Sequence, residues 1–246
     1  MPDVASESAE LDSGSRHPWL WGPVGLLTLI GIVVVVRRYS VLMGPGIRAD
    51  SVNPAKVLDA NFARHRGLTL AHIVPAVFYI ALLPLQFTNR LRVRFPKLHR
   101  WNGRVLVGLG AYVASTALVM SFTMAIGGAN ETAATALYAL LLLLFLYKGF
   151  RASLARRFPE HREWMVRAYG VTLGISVTRP IVGAFFAARR LQPQQFFGTA
   201  FWLGFTMSLL AAEGWLIRTR PATAFRENSQ HPSTIDQPIR TEQTDC

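Results

Sequence analysis

Six long apolar runs separated by polar and basic connections set the pattern of this chain. They fall at Trp19 to Val36, Leu68 to Phe87, Val105 to Ile126, Ala133 to Phe150, Val166 to Ala188 and Phe196 to Ile217. Each is close to the roughly 20 residues that a helix needs to cross the hydrocarbon core. The pattern therefore predicts an all-α integral membrane bundle of six transmembrane helices over residues 18–217. The polar flanks, 1–17 and 218–246, are expected to be disordered tails.

The connections contain an internal repeat. Arg94-Phe-Pro-Lys-Leu-His-Arg-Trp-Asn-Gly-Arg104, between the second and third runs, returns as Arg157-Phe-Pro-Glu-His-Arg-Glu-Trp-Met-Val-Arg167, between the fourth and fifth. A proline past a helix end cannot continue that helix, so each copy reads as a tight turn whose His-Arg opens the next helix. Helices two and three, and helices four and five, then form two hairpins of the same orientation, related by a pseudo-two-fold axis along the membrane normal. Helices one and six lie outside this four-helix core. His99 and His161 become symmetry mates at one mouth of it.

Composition agrees with the pattern. Of 246 residues, 51% are hydrophobic and 16% charged, which favours the membrane class over soluble domains. The net charge of +12 would suit a nucleic-acid partner if the basic residues shared a soluble face. They sit between apolar runs instead, where the positive-inside bias and anionic headgroups account for them, so no nucleic acid is expected. Cys246 is the single cysteine, which excludes a disulfide framework or a thiolate metal site within one chain. The first residues carry Asp3, Glu7, Glu10 and Asp12 rather than a positive n-region, so the first helix is expected to be retained.

Charge also orients the bundle. The stretch Thr88 to Arg104 holds Arg90, Arg92, Arg94, Lys97, Arg100 and Arg104, and Lys148 to Arg167 is equally basic, while Gly127 to Thr132 has no basic residue. Both repeat turns and both termini are accordingly expected on the cytoplasmic side of the cell (inner) membrane. The long segment Arg37 to Gly67 falls outside despite its arginines, and long loops bias orientation less.

Three groups of residues could carry chemistry. His99 and His161, at equivalent places on facing helices, could hold the iron of one b-type haem, although both precede the apolar runs rather than lying within them. Arg100, Arg104, Arg162 and Arg167 surround them, and guanidinium groups at helix starts suit haem propionates, an anionic lipid headgroup or a prenyl diphosphate. Topological anchoring explains many of these arginines equally well, and Trp101 and Trp164 read as interfacial belt residues.

At the opposite end, His72 in helix two and Arg179 in helix five could share a substrate cavity. An arginine within a span is costly and faces the bundle interior. Tyr169, Thr172, Ser176, Arg179 and Gly183 recur at three or four residues and make one polar face, with ordinary interhelical packing as the bland explanation for all but Arg179. Glu213 is expected near the first mouth's arginines. No metalloprotease, serine-hydrolase, phosphate-loop or Asp-rich metal motif is present.

At His72, Pro84-Leu-Gln-Phe87, His99-Arg-Trp-Asn-Gly-Arg104 and His161-Arg-Glu-Trp-Met-Val-Arg-Ala-Tyr169, the chain resembles a family of predicted bacterial multi-pass membrane proteins, catalogued as domain-of-unknown-function 2306. The resemblance covers roughly His65 to Arg190 and implies a membrane location. A looser similarity links it to the b-type haem four-helix membrane cytochromes, from which it departs in lacking a second histidine level with His72. Three readings stay open: a membrane redox protein with one b-type haem, a non-haem membrane enzyme or carrier for an anionic lipid, isoprenoid or quinone, and a structural or assembly factor.

Overall fold

The computed structural model describes residues 21–44, 54–188 and 192–219, which form eight helices. In chain order these are α1 (Trp21–Met43), α2 (Pro54–Arg64), α3 (Arg66–Gln86), α4 (Asn89–Arg94), α5 (Pro96–Thr123), α6 (Gly128–Leu154), α7 (Phe158–Ala188) and α8 (Pro193–Thr219). Six of them, α1, α3, α5, α6, α7 and α8, are long and apolar enough to cross a membrane. The expected tails fall almost wholly outside the described residues, apart from Arg218 and Thr219, which finish α8.

The spans pack as a ring with one helix outside it. α3 lies against α5, α5 against α6 and α6 against α7, while α1 packs on both α3 and α7 and so seals the ring where those two stand farthest apart. Side chains bridge that gap: Tyr79, Leu83 and Leu106 share a buried cluster with Tyr169 and Leu173. α8 sits outside, against α6 and α7. The sequence places α1 and α8 alike beyond a four-helix core, but α1 is part of the wall. At Gly31 an added Cβ would lie 2.5 Å from Ile80 Cδ1 on α3 and 2.9 Å from the Ser176 hydroxyl on α7, so α1 sits close against both.

The α7–α8 contact has a similar origin. Gly170, Gly174 and Thr178 recur at four residues on α7 and face Gly204, Ser208 and Ala212 on α8. Small residues at this spacing let two helix backbones approach, and in lipid that close packing is a main source of association. Ser208 adds a buried hydrogen bond, its hydroxyl donating to the Gly170 carbonyl at 2.6 Å.

Two boundaries differ from the sequence expectation. α1 runs past Val36 to Met43, so Arg37 and Arg38 are helical rather than part of a loop, and residues 54–64 form the short helix α2. Charge pairing explains both: the buried carboxylate of Asp59 on α2 accepts from Arg37 at 2.9 Å and 3.2 Å and also from Arg38. The Arg38 guanidinium lies over the Phe62 ring at 4.0 Å. Asn61 donates to the Met124 carbonyl at 2.9 Å and Thr69 to the Phe62 carbonyl at 3.1 Å. These bonds fasten α2 across the end of the bundle away from the repeat turns.

Candidate functional site

Both histidines of the repeat occupy the same local position. In each copy the Pro lies at the start of a helix, where a missing N–H costs nothing. The His99 N–H bonds to the Phe95 carbonyl and the His161 N–H to the Arg157 carbonyl, each at 3.0 Å, closing the first turns of α5 and α7. The rings are close enough to interact electrostatically. His161 Nδ1 is 2.8 Å from the carbonyl oxygen of Gly149, which can only accept, so Nδ1 donates there and Nε2 is the nitrogen left for another partner. Gly149 packs closely on α7 at this point, where an added Cβ would meet the Met165 tip and lie 3.2 Å from Trp164 Cβ. His99 is oriented through its backbone, Gln86 Nε2 donating to its carbonyl at 3.1 Å.

The four arginines of this mouth divide into two pairs. Arg167 is committed: its guanidinium bonds Glu213 at 2.5 Å and 3.1 Å and Glu163 at 3.3 Å, and stacks over Trp164 at 4.9 Å. Arg162 donates to the Thr219 hydroxyl at 2.8 Å. Arg100 and Arg104 are exposed. Glu213 thus stands where the sequence puts it, beside a mouth arginine. Trp101 is exposed as a belt residue should be, whereas Trp164 is a half-buried platform with Lys148 at 4.6 Å as well as Arg167 over its ring.

From this mouth a polar column runs inward between α1, α3, α5 and α7. Among the described residues, four buried side-chain atoms lack a hydrogen-bond partner: His99 Nδ1, Asn102 Nδ2, Tyr169 Oη and Ser176 Oγ. Asn102 is one turn beyond His99 and one turn short of Leu106, whose cluster contains Tyr79 and Tyr169. Tyr169 stacks on Phe87 at 4.9 Å and faces Thr28 of α1, and Tyr79 Oη meets Thr172 Oγ1 at 3.2 Å. Interiors rarely leave such atoms unpaired. Their concentration on one column makes it the candidate site.

The far end of the column holds His72 and Arg179. His72 Nδ1 is 2.9 Å from Thr116 Oγ1, across the α3–α5 contact. Arg179 is half-buried, enclosed by the bundle, and interacts electrostatically with His72, Arg38 and Glu131. His72 and Arg179 are thus within electrostatic reach of each other. Ser176 lies one turn from Arg179, but Tyr169 is ten residues away along α7, about 15 Å, and belongs to the histidine half.

Several participants escape the sequence reading. Glu131 accepts from the Ile126 and Gly127 N–H groups at 2.7 Å and 2.6 Å, capping the start of α6 near Arg179. Its signal is an acid four residues after a glycine at a helix start. Asp59 is an acid within a basic segment, the natural counterion for Arg37-Arg38. Asn102 sits inside the repeat itself. Asn130, another far-end residue, accepts from Trp202 Nε1 at 3.0 Å and ties α6 to α8.

The family described as Predicted membrane protein (DUF2306) matches residues 69–216, well over half of the chain. The chain belongs to this family. The match takes in both repeat turns, His72 and Arg179, and leaves α1 and α2 outside it. No curated protein and no solved structure matches the chain.

Proposed function

We propose that this DUF2306 member is a redox protein of the cell inner membrane, both termini cytoplasmic, which holds one b-type haem between His99 and His161. The observation that carries the reading is the hydrogen bond from His161 Nδ1 to the Gly149 carbonyl. An iron-ligating imidazole presents one nitrogen to the metal and donates its other N–H to a carbonyl, the arrangement that His161 and Gly149 make. His99 supplies the second imidazole from α5, which lies across the ring from α7, and its Nδ1 has no other partner. Exposed Arg100 and Arg104 suit propionate carboxylates, while Arg162 and Arg167 are held by their own partners and serve to fix the mouth. The group would supply one-electron transfer. The chain's residues would orient the two imidazoles and neutralise the propionates at the mouth of the bundle.

The test is optical. Purified protein from haem-supplied cells should show Soret and α bands after dithionite reduction, and His99→Ala or His161→Ala should each abolish the low-spin spectrum. Arg100→Gln should only perturb it. Colourless wild-type protein would end this reading.

A second reading is favoured by the basic surface pocket beside the same mouth, lined by Tyr147, Lys148, Arg151, Arg157, Glu160 and Trp164. Three cations against one acid, with two aromatic rings, suit an anionic lipid, isoprenoid phosphate or similar headgroup handled by a non-haem enzyme or carrier. Colourless protein that binds anionic lipid, and loses it with Arg151→Gln, would establish that alternative. Colourless protein with no such affinity would leave a structural or assembly role.

A further inference from the structure

At the end of the column away from the histidine mouth, Arg179 is a guanidinium inside a span without a hydrogen bond or ion pair to any described residue, while still reaching open space. It lies nine residues before the end of α7, about 13 Å along the helix, too deep for an arginine to be there by default. Neither nearby carboxylate is bonded to it. Asp59 is taken by Arg37 and Arg38, and Glu131 is turned to the backbone N–H groups of Ile126 and Gly127. Counting Arg37, Arg38 and Arg179 against Asp59 and Glu131 leaves one positive charge over, and the geometry leaves it on Arg179.

Other groups converge on the same level. Ser176 Oγ, one turn along α7, is buried and unpartnered, and the His72 imidazole is within electrostatic reach. Pro180 removes the N–H that would close on the Ser176 carbonyl, and Pro75 does the same for the Ala71 carbonyl beside His72. Both helices are thus loosened beside the arginine, which transmembrane helices tolerate where the backbone lines a cavity. The direction of access follows from the surroundings. α2 is fastened over the bundle end, whereas Gly183, one turn beyond Arg179, is exposed and a Cβ there would meet nothing within 4 Å. The open approach is sideways, at membrane depth.

We infer that Arg179, with Ser176 and His72, forms a binding site for an oxyanion borne on an apolar chain, entering from the bilayer beside Gly183. The guanidinium fork takes the carboxylate or phosphate oxygens, and the Ser176 hydroxyl supplies a further donor. This site is separate from the histidine mouth and stands or falls independently of the haem.

Full-length protein in nanodiscs of zwitterionic lipid should bind oleate saturably, read by displacement of a fluorescent fatty acid. Arg179→Leu should weaken oleate by about tenfold to a hundredfold, the range for losing a charge-assisted hydrogen-bond pair. Lys97→Leu, at the other end and exposed, should leave it unchanged. Arg179→Lys keeps the charge but not the fork, should weaken oleate severalfold, and serves if the leucine variant fails to fold. Equal oleate affinity in wild type and both Arg179 variants would overturn the site. Displacement by acetate or inorganic phosphate with no response to oleate would overturn the membrane-borne occupant, in favour of a soluble anion.

Discussion

Gly204→Ala offers the sharpest test of how this bundle is held together. A Cβ at Gly204 would lie 2.8 Å from the Thr178 backbone nitrogen and 2.9 Å from its Cα. Ordinary contact begins some half an ångström farther out, and backbone atoms in the middle of α7 cannot rotate away as a side-chain tip can. The helices must therefore separate, which strips contact from the Gly170, Gly174 and Ser208 positions as well. Overpacking of this kind costs about 1–3 kcal/mol. Alanine also gains up to about 1 kcal/mol of helix propensity over glycine, which hides part of the effect. Gly108→Ala removes that ambiguity: Gly108 is exposed on α5 with nothing within 4 Å of its Cβ position, so it shows the propensity gain alone. The two variants should differ by about 1–3 kcal/mol, with Gly204→Ala the less stable, in reversible unfolding in mixed micelles. Equal stabilities would refute the claim that α7 and α8 are joined by backbone approach.

Two further outcomes follow from the charges. Glu213→Gln takes one of two carboxylates from Arg167, whose side chain is 14% exposed, and should destabilise by about 1–2 kcal/mol, partner exposure of 36% holding it below a fully buried pair. Glu160→Gln breaks the exposed Arg157–Glu160 pair and should change unfolding by less than about 0.5 kcal/mol. Reporter fusions after residues 92 and 155 should give a cytoplasmic signal and one within Gly127 to Thr132 an external one; an external signal from either repeat turn would reverse the proposed orientation.

The six spans were legible because hydropathy over a full span is a sum, insensitive to any one residue. What escaped notice was set by pairs. Arg37 and Arg38 look like the start of a loop until Asp59, over twenty residues on, is found to bind both and carry the helix to Met43. The glycines of α7 were readable in principle, since Gly170-x-x-x-Gly174 is a packing signature. The face singled out from Tyr169 to Gly183 drew the eye elsewhere. Both faces are real: one meets α8, and the other, from Tyr169 to Ser176, looks into the ring. A single helical periodicity analysis finds the more polar of the two and passes over the smaller residues.

The candidate site shows the same division. Histidines in a repeated motif and an arginine inside a span are conspicuous as single letters, and the fold sets each of them on the ring interior or its mouth. Their chemical state is not a property of single letters. His161 and His99 belong to the same repeated motif, yet one has its Nδ1 bonded to the Gly149 carbonyl, and the other has a buried Nδ1 with no partner. Arg167 and Arg179 lie on the same helix, yet one is bound by two carboxylates and the other by none. In a membrane, where an unpaired charge cannot be left to water, that contrast separates their parts: Arg167 holds helices together, and Arg179 is the cation that the proposed oxyanion would pair.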